Sequence, residues 1–547
     1  MLGLMQDWPL TLDRIFDHAK INYPNREIVT RSVEGPIVRT TYAQAYDRAK
    51  QVSNALKDSG IVLSDRIATL AWNSARHLEI WYGAMGVGAV VHTVNPRLFP
   101  EQIAWLLDHA EDKILFLDLT FVPMIEEIAP KLKTVRSFVI LTDEANMPAT
   151  SLPNAVAYED FIAGKSIAVK WGGFDENTAA GLCYTSGTTG NPKGVLYSHR
   201  SNLLHALGAN QGDAFGLRSR DVVLPLVPMF HANAWALAFI APMAGAKLVM
   251  PGAKLDGPSV CELLETEGVT LSAAVPTVWL GLLNYLRESG RKLSTLKRIV
   301  NGGAALPELV LRTLEEEYGV EVIHAWGMTE MSPMGTLCTM GPEEEKLSHE
   351  EQIAIKLRQG RTPFTIEMKV VNDAGETLPR DGVSTGRLLV AGPAVAKAYF
   401  KNEGARREDG LALETCGFFD TGDIANINAA GYMQITDRAK DVIKSGGEFI
   451  SSIDIENIAV GAEGVAVAAV IGMPHPKWDE RPLLIVEAKP GANPTKDEIL
   501  AYLNGKIVKW WTPDDVQFVE KIPLGATGKL NKLALREMFK GYKLPTA

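Results

Sequence analysis

The stretch Tyr184-Thr-Ser-Gly-Thr-Thr-Gly-Asn-Pro-Lys-Gly-Val195 lies between the strand-like runs 180–184 and 195–197, and its reading decides that of the rest of the chain. It gathers four aliphatic hydroxyls, three glycines and one lysine. Glycines let backbone N–H groups come close to an anion, hydroxyls add donors, and a lysine adds a mobile point charge. The tract therefore predicts a phosphate clamp. It is not a Walker loop, which requires G-x-x-x-x-G-K-S/T opening into a helix. Here Lys193 follows Pro192, precedes Gly194 and leads into a strand-like run. An ordinary Ser/Thr/Gly hairpin loop is the alternative that composition alone leaves open.

With 547 residues the chain has room for two to four domains with large cores. Its 46% apolar and 22% charged residues are usual for a globular protein, and the net charge of −10 argues against a nucleic-acid surface. Cys183, Cys261, Cys338 and Cys416 are far apart with no C-x-x-C pair, which suggests neither a disulfide framework nor a zinc site. The first residues, Met1-Leu-Gly-Leu-Met-Gln-Asp-Trp-Pro9, carry no basic segment and no sustained apolar run, unlike a signal peptide. The most apolar window, 237–251, contains Lys247 and is too short to span a bilayer. The expectation is a soluble cytoplasmic protein.

Strand-like runs alternate with helix-periodic segments over the first 350 or so residues, as in 66–72 before 77–86, 89–93 before 101–109, and 298–300 before 307–318. Such alternation predicts an α/β fold of largely parallel sheets covered by helices. From about 362 the texture changes to shorter strands with turns such as Asn372-Asp-Ala-Gly375, a small β-rich subdomain. The predicted organisation is an N-terminal domain over 1–436, a charged hinge at 437–441, and a small mobile α+β domain over 442–547 with a frayed end.

Four further tracts sharpen the reading. Ala325-Trp-Gly-Met-Thr-Glu330 puts a flat aromatic, a glycine, a hydroxyl and a carboxylate in one turn after a strand. Glu330 suits Mg²⁺, which takes one or two carboxylates plus substrate phosphates. Phe419-Asp-Thr-Gly-Asp423 offers a carboxylate for vicinal ribose hydroxyls, although a turn-forming Asp is the simpler reading of that tract alone. In Asp437-Arg-Ala-Lys-Asp-Val-Ile-Lys-Ser-Gly-Gly-Glu448, Arg438 can bridge ribose or phosphate, Lys440 falls at the hinge, and the glycine pair admits an extended ligand. Pro523-Leu-Gly-Ala-Thr-Gly-Lys529 presents a lysine on a glycine-flanked loop that domain movement can carry into a site.

Together these five tracts resemble, over essentially the whole chain, the adenylate-forming superfamily of acyl-CoA synthetases, luciferases and peptide-synthetase adenylation domains. The likeness is strongest to bacterial fatty-acyl-CoA synthetases, through Met229-Phe-His-Ala-Asn-Ala-Trp235, Ile443-Lys-Ser-Gly-Gly-Glu-Phe-Ile-Ser-Ser452 and Met473-Pro-His-Pro-Lys-Trp-Asp-Glu-Arg-Pro482. A sister branch that activates 3-methylmercaptopropionate carries the same motifs. The resemblance implies that ATP and a carboxylic acid give an acyl-adenylate and diphosphate, and that CoA then displaces AMP.

By the same resemblance, Thr185, Ser186, Gly187, Thr188, Thr189, Gly190 and Lys193 would wrap the outer phosphates, and Thr185 and Glu330 would hold Mg²⁺. Gly302, Gly303, Ala304, His324, Ala325, Trp326, Gly327, Met328, Thr329 and Ile435 would flank the nucleotide, with Asp423 and Arg438 on its ribose, and His231 would position the acid carboxylate or close over it. Lys529 would stabilise charge on the α-phosphate. Lys440 would be the pivot that withdraws Lys529 and brings in Lys444, Gly446, Gly447, Glu448 and Phe449 for CoA. His231, Trp235, Gly302, Gly303, Trp326, Gly327, Met328 and Pro333 would line the acyl pocket, with Trp235 as its gate. Trp326 stands where tyrosine is usual, Phe449 where tryptophan is common, and Asn301 where many relatives are apolar. The substrate implied is a medium- or long-chain fatty acid or related monocarboxylate. The alternatives are 3-methylmercaptopropionate and, less favoured because the chain stops soon after Lys529, loading of a carrier protein. The resemblance also implies a homodimer.

Overall fold

Strands such as Val90–Thr93 and the wholly apolar Ile114–Leu117 are buried along their whole length, as parallel strands covered on both faces must be. The computed structural model describes the chain except residues 2, 186–191, 403–411, 415, 439–440, 447 and 526–528, and describes backbone alone at 448–449. A seven-stranded sheet runs in the order Ala155–Ala157, Ser137–Ile140, Ile114–Leu117, Arg66–Leu70, Val90–Thr93, Ala179–Tyr184, Gly194–Ser198. All its neighbours are parallel except the last pair, the hairpin that carries the phosphate-clamp tract. An eight-stranded sheet runs Met334–Cys338, Glu321–Gly327, Arg298–Asn301, Leu271–Ala274, Val222–Pro225, Lys247–Met250, Glu27–Arg31, Ile37–Thr41, with antiparallel strands only at its edges.

The two sheets share one apolar core. Helices Asp13–Asn22, Tyr42–Asp58, Ala75–Gly86, His199–Ala209 and Leu237–Ala244 fill the space between Ile67 and Val91 of the first sheet and Val223 and Val300 of the second. Separate clusters cover the outer faces, with Pro100–Ala110 and Val122–Ile128 on the first sheet and Gly257–Thr266 and Pro276–Ser289 on the second. The α/β layering predicted from the alternation is thus present. The helix expected over 307–318 is instead Glu308–Arg312 followed by a wider π turn at Thr313–Glu317.

The textural change near 362 corresponds to a four-stranded antiparallel sheet of Glu367–Val371, Gly386–Ala391, Phe419–Ile427 and Met433–Arg438. Beyond it, Ile443–Ser445, Glu448–Ile450, Val465–His475, Asp479–Ala488 and Asp515–Val519 form a further sheet, packed by Ser452–Ala459 and Lys496–Leu503. The end of the chain is not frayed: Leu544 is buried and the Thr546 carbonyl pairs with His475 Nε2 at 3.0 Å.

A charged knot joins these last two sheets. Ser452 donates to Asp437 Oδ2 from its N–H at 2.8 Å and its hydroxyl at 2.7 Å. The buried Lys532 ammonium reaches the same hydroxyl at 2.5 Å and Glu456 at 2.8 Å. The acids around it raise the Lys532 pKa against the opposing effect of burial. Removing one partner of such a buried set leaves a bare charge, costing about 3–5 kcal/mol. Lys532→Met should therefore lower the urea midpoint of unfolding of the C-terminal region, and an unchanged midpoint would remove Lys532 from this role.

Candidate active site

The hairpin of Ala179–Tyr184 and Gly194–Ser198 holds the phosphate-clamp tract at its tip, where two hydrogen bonds close its base. Thr185 N–H donates to the Lys193 carbonyl at 2.9 Å, and Lys193 N–H donates to Thr185 Oγ1 at 3.3 Å. Ser186, Gly187, Thr188, Thr189 and Gly190 lie outside the described residues, as do Lys440 and Gly447 and the side chains of Glu448 and Phe449.

Three contacts lock this hairpin to the turn that carries Glu330. Tyr197 donates its hydroxyl to the Thr329 carbonyl at 2.7 Å. Tyr399 donates to Glu330 Oε1 at 2.7 Å, and Lys193 Nζ lies 5.0 Å from the centre of the same tyrosine ring. Glu330 is buried and has no ion-pair partner among the described residues. Burial pushes its pKa up, opposed by the Tyr399 hydrogen bond and the charges of Arg438 and Lys193.

Between these elements opens a cavity of about 310 Å³. Its walls bring together Thr185, Lys193, His231, Trp235, Gly302, Gly303, Ala325, Trp326, Gly327, Met328, Thr329, Glu330, Pro333, Arg438 and Lys529. Tracts more than 340 positions apart in the sequence thus face one space. Burial, with the charges of Lys529 and Arg97, pushes the His231 pKa down to about 4, so the imidazole is neutral near pH 7.

Two glycines are needed for contact. A Cβ on Gly302 would stand 2.9 Å from Trp235 Cη2, and one on Gly327 would stand 2.0 Å from the Pro333 carbonyl oxygen. Trp235 sits in a left-handed turn: Ala232, Asn233, Ala234, Trp235 and Ala236 have φ of 44°, 56°, 50°, 52° and 66°. No glycine relieves it.

Other expected residues lie off the cavity. His324 faces the opposite side of its strand, where Nδ1 meets the Leu357 carbonyl at 3.0 Å and Nε2 accepts from Leu306 N–H. Ile435 packs in the apolar cluster of the small antiparallel sheet, and Ala304 is exposed beyond the lining. Asp423 is buried, with Trp326 Nε1 donating to Oδ2 at 3.0 Å and Arg438 Nε forming an ion pair with Oδ1 at 2.8 Å, although Oδ1 accepts no hydrogen bond among the described residues. The neighbouring Asp420 lines the cavity instead. Lys444 and Gly446 are on the strand and turn beside Glu480 and Trp478, away from the lining while Lys529 is on it.

Sequence reasoning missed Tyr399 and Phe215, both in the lining. Tyr399 lies in an aperiodic stretch after Gly386–Ala391, with only its ring to mark it.

This chain belongs to the AMP-binding enzyme family. The profile of that family matches residues 16–400, and that of the AMP-binding enzyme C-terminal domain matches 454–529. The chain is 47% identical over 540 residues, 99% of each, to a 3-methylmercaptopropionyl-CoA ligase of Ruegeria lacuscaerulensis. It is 46% identical over 539 residues, 98% of each, to a medium-chain-fatty-acid–CoA ligase of Ectopseudomonas oleovorans. Among solved structures, the anthranilate CoA ligase AuaEII in complex with anthranoyl-AMP superimposes with a TM-score of 0.85 at 25% identity, over 98% of this chain and 99% of that one.

Only the ionised Glu330 can take up a cation, so activity that needs it rises with pH through its titration. The raised pKa puts this acid limb above the usual glutamate range. Tyr399→Phe removes a donor to the charged form and should move the limb of kcat/KM for ATP to still higher pH. A limb that stays in place would contradict the assignment.

Proposed function

We infer that this chain is an AMP-forming acyl-CoA ligase, in which ATP and a carboxylate give an acyl-adenylate and diphosphate before CoA thiol displaces AMP. The convergence of Lys193, Glu330 and Lys529 with His231 and Trp235 on one cavity carries the reading. The first step presses a carboxylate against a polyanion, so positioning and charge neutralisation supply most of its acceleration.

Lys193 and the hydroxyls of its loop would receive the β- and γ-phosphates. Lys529 would stabilise the charge that develops as the acid oxygen bonds the α-phosphorus and diphosphate leaves. Arg438, with Asp420 on the rim and Asp423 behind it, would seat the ribose. Neutral His231 would donate to or orient the acid carboxylate without competing for a proton. The buried Glu330 carboxylate and the Thr185 hydroxyl are hard oxygen donors that fit Mg²⁺. When bound, that ion supplies charge neutralisation on the phosphates. For the second step, rotation about Lys440 would exchange Lys529 for the 444–449 segment.

The acid is a medium- or long-chain fatty acid or a related monocarboxylate. A second reading, 3-methylmercaptopropionate, is favoured by the position of Trp235 against Gly302. A cytoplasmic location and a homodimer complete the proposal, supported by the family likeness. Among the described residues, no helix is long and apolar enough to cross a membrane.

Lys529→Ala should reduce acid-dependent pyrophosphate exchange by about a hundredfold or more, while CoA transfer from preformed acyl-adenylate persists. Equal loss of both half-reactions would contradict the assigned role. Trp235→Ala should relax the selectivity, narrowing the differences in kcat/KM among butyrate, octanoate, palmitate and 3-methylmercaptopropionate, and unchanged selectivity would count against the gate. AMP release indifferent to CoA would overturn the ligase reading.

A further inference from the structure

A second cavity, of about 470 Å³, lies at the carboxyl ends of the seven-stranded sheet. That size is within the roughly 300–1,000 Å³ of small-molecule sites. The connection from Arg66–Leu70 passes through Ala75–Gly86 to Val90–Thr93 on one side. The connection from the adjacent Ile114–Leu117 passes through Val122–Ile128 to Ser137–Ile140 on the other. The chain directions part between these neighbours, the topological switch point where α/β sheets open a ligand crevice. Trp72 and Asp118 follow the two strands and meet across the crevice, Trp72 N–H donating to Asp118 Oδ2 at 2.6 Å.

The charges of the wall define what it can hold. Arg31 pairs with Glu262 at 2.5 Å, and Arg39 with Glu267 at 2.7 Å. Arg48 pairs with Glu79 and Glu159 at 2.9 Å, and Arg76 with Glu34 at 2.6 Å and Glu159 at 3.0 Å. An incoming anion therefore meets guanidiniums already neutralised. Asp118 is the reverse case. It is 3% exposed, lines the cavity and has no ion-pair partner among the described residues. Burial pushes its pKa up to about 7, helped by Glu34 and opposed by Arg76 and the Trp72 hydrogen bond. The Ser32 hydroxyl on the same wall is buried without a hydrogen-bond partner among the described residues.

We propose that this crevice is a second ligand site, separate from the catalytic cleft, for a small organic cation whose ammonium lies against Asp118 while its polar remainder meets Ser32. A carboxylate without a counter-ion selects an ammonium over a neutral polyol, and the ligand supplies the counter-charge that Asp118 lacks.

Titration calorimetry on the full chain at pH 8, where Asp118 is ionised, tests this with ethanolamine and choline as probes and glucose and inorganic phosphate as comparators. At least one ammonium should bind with Kd at or below about 1 mM, unaffected by saturating ATP. Asp118→Asn keeps an acceptor for Trp72 N–H and should weaken binding at least tenfold. Ser32→Phe fills the crevice and should abolish it. Neither ammonium binding, affinity unchanged in both variants, competition by ATP, or preferential binding of glucose or phosphate would each overturn the proposal.

Discussion

Two anions have to meet in this cleft, and the arrangement around Tyr399 makes that meeting feasible. One aromatic ring bonds Glu330 through its hydroxyl at 2.7 Å and lies 5.0 Å from the Lys193 ammonium. It keeps a negative group and a positive group, drawn from different sheets, at fixed positions before any ligand arrives. Preorganised charge in a water-poor cleft acts more strongly than the same groups in solvent, because nothing has to reorient at the moment of reaction. The Tyr197–Thr329 bond and the paired base of the hairpin serve the same end. Without them the phosphate-clamp tract would be a loop searching for its partners.

The layered part of the fold was legible because parallel strands buried on both faces leave continuous apolar runs, and those runs alternate with helical periods. The clamp tract, the Glu330 turn and the Lys529 loop were legible because their chemistry is dense and local. Tyr399 was not, since its importance comes from where an aperiodic segment is laid down by the small antiparallel sheet. Asp423 was read for the right region, but the sequence could not show that it is buried behind the lining, hydrogen-bonded by Trp326 and ion-paired with Arg438. His324 illustrates the parity of a strand. It is next to Ala325 in sequence, yet alternation turns it to the far face, against Leu306 and Leu357.

The region after Asp437 follows a different logic from the sheets before it. It brings Lys529 to the cleft on a loop that Gly525 N–H and the Lys529 carbonyl close at 2.7 Å. Its own position relative to the four-stranded sheet is fixed by Asp437, Ser452, Glu456 and Lys532. This charged joint lies at the start of the segment proposed as the pivot. A polar joint can exchange its hydrogen bonds with water as it moves, which an apolar one of the same area cannot do without exposing its surface.

The left-handed turn at Ala232–Ala236 has a consequence for how the acyl pocket can diversify. Each non-glycine residue held there costs on the order of 1–2 kcal/mol, and burial of Ala232, Ala234 and Ala236 against the core offsets it. The indole is thus mounted on a wound spring rather than a slack tether. Glycines in place of Ala234 and Ala236, which pack in the core and off the cavity, would unload the spring and blur the throw of the indole. The range of acids accepted could therefore drift through backbone torsion alone, by changes to methyl groups outside the cavity wall.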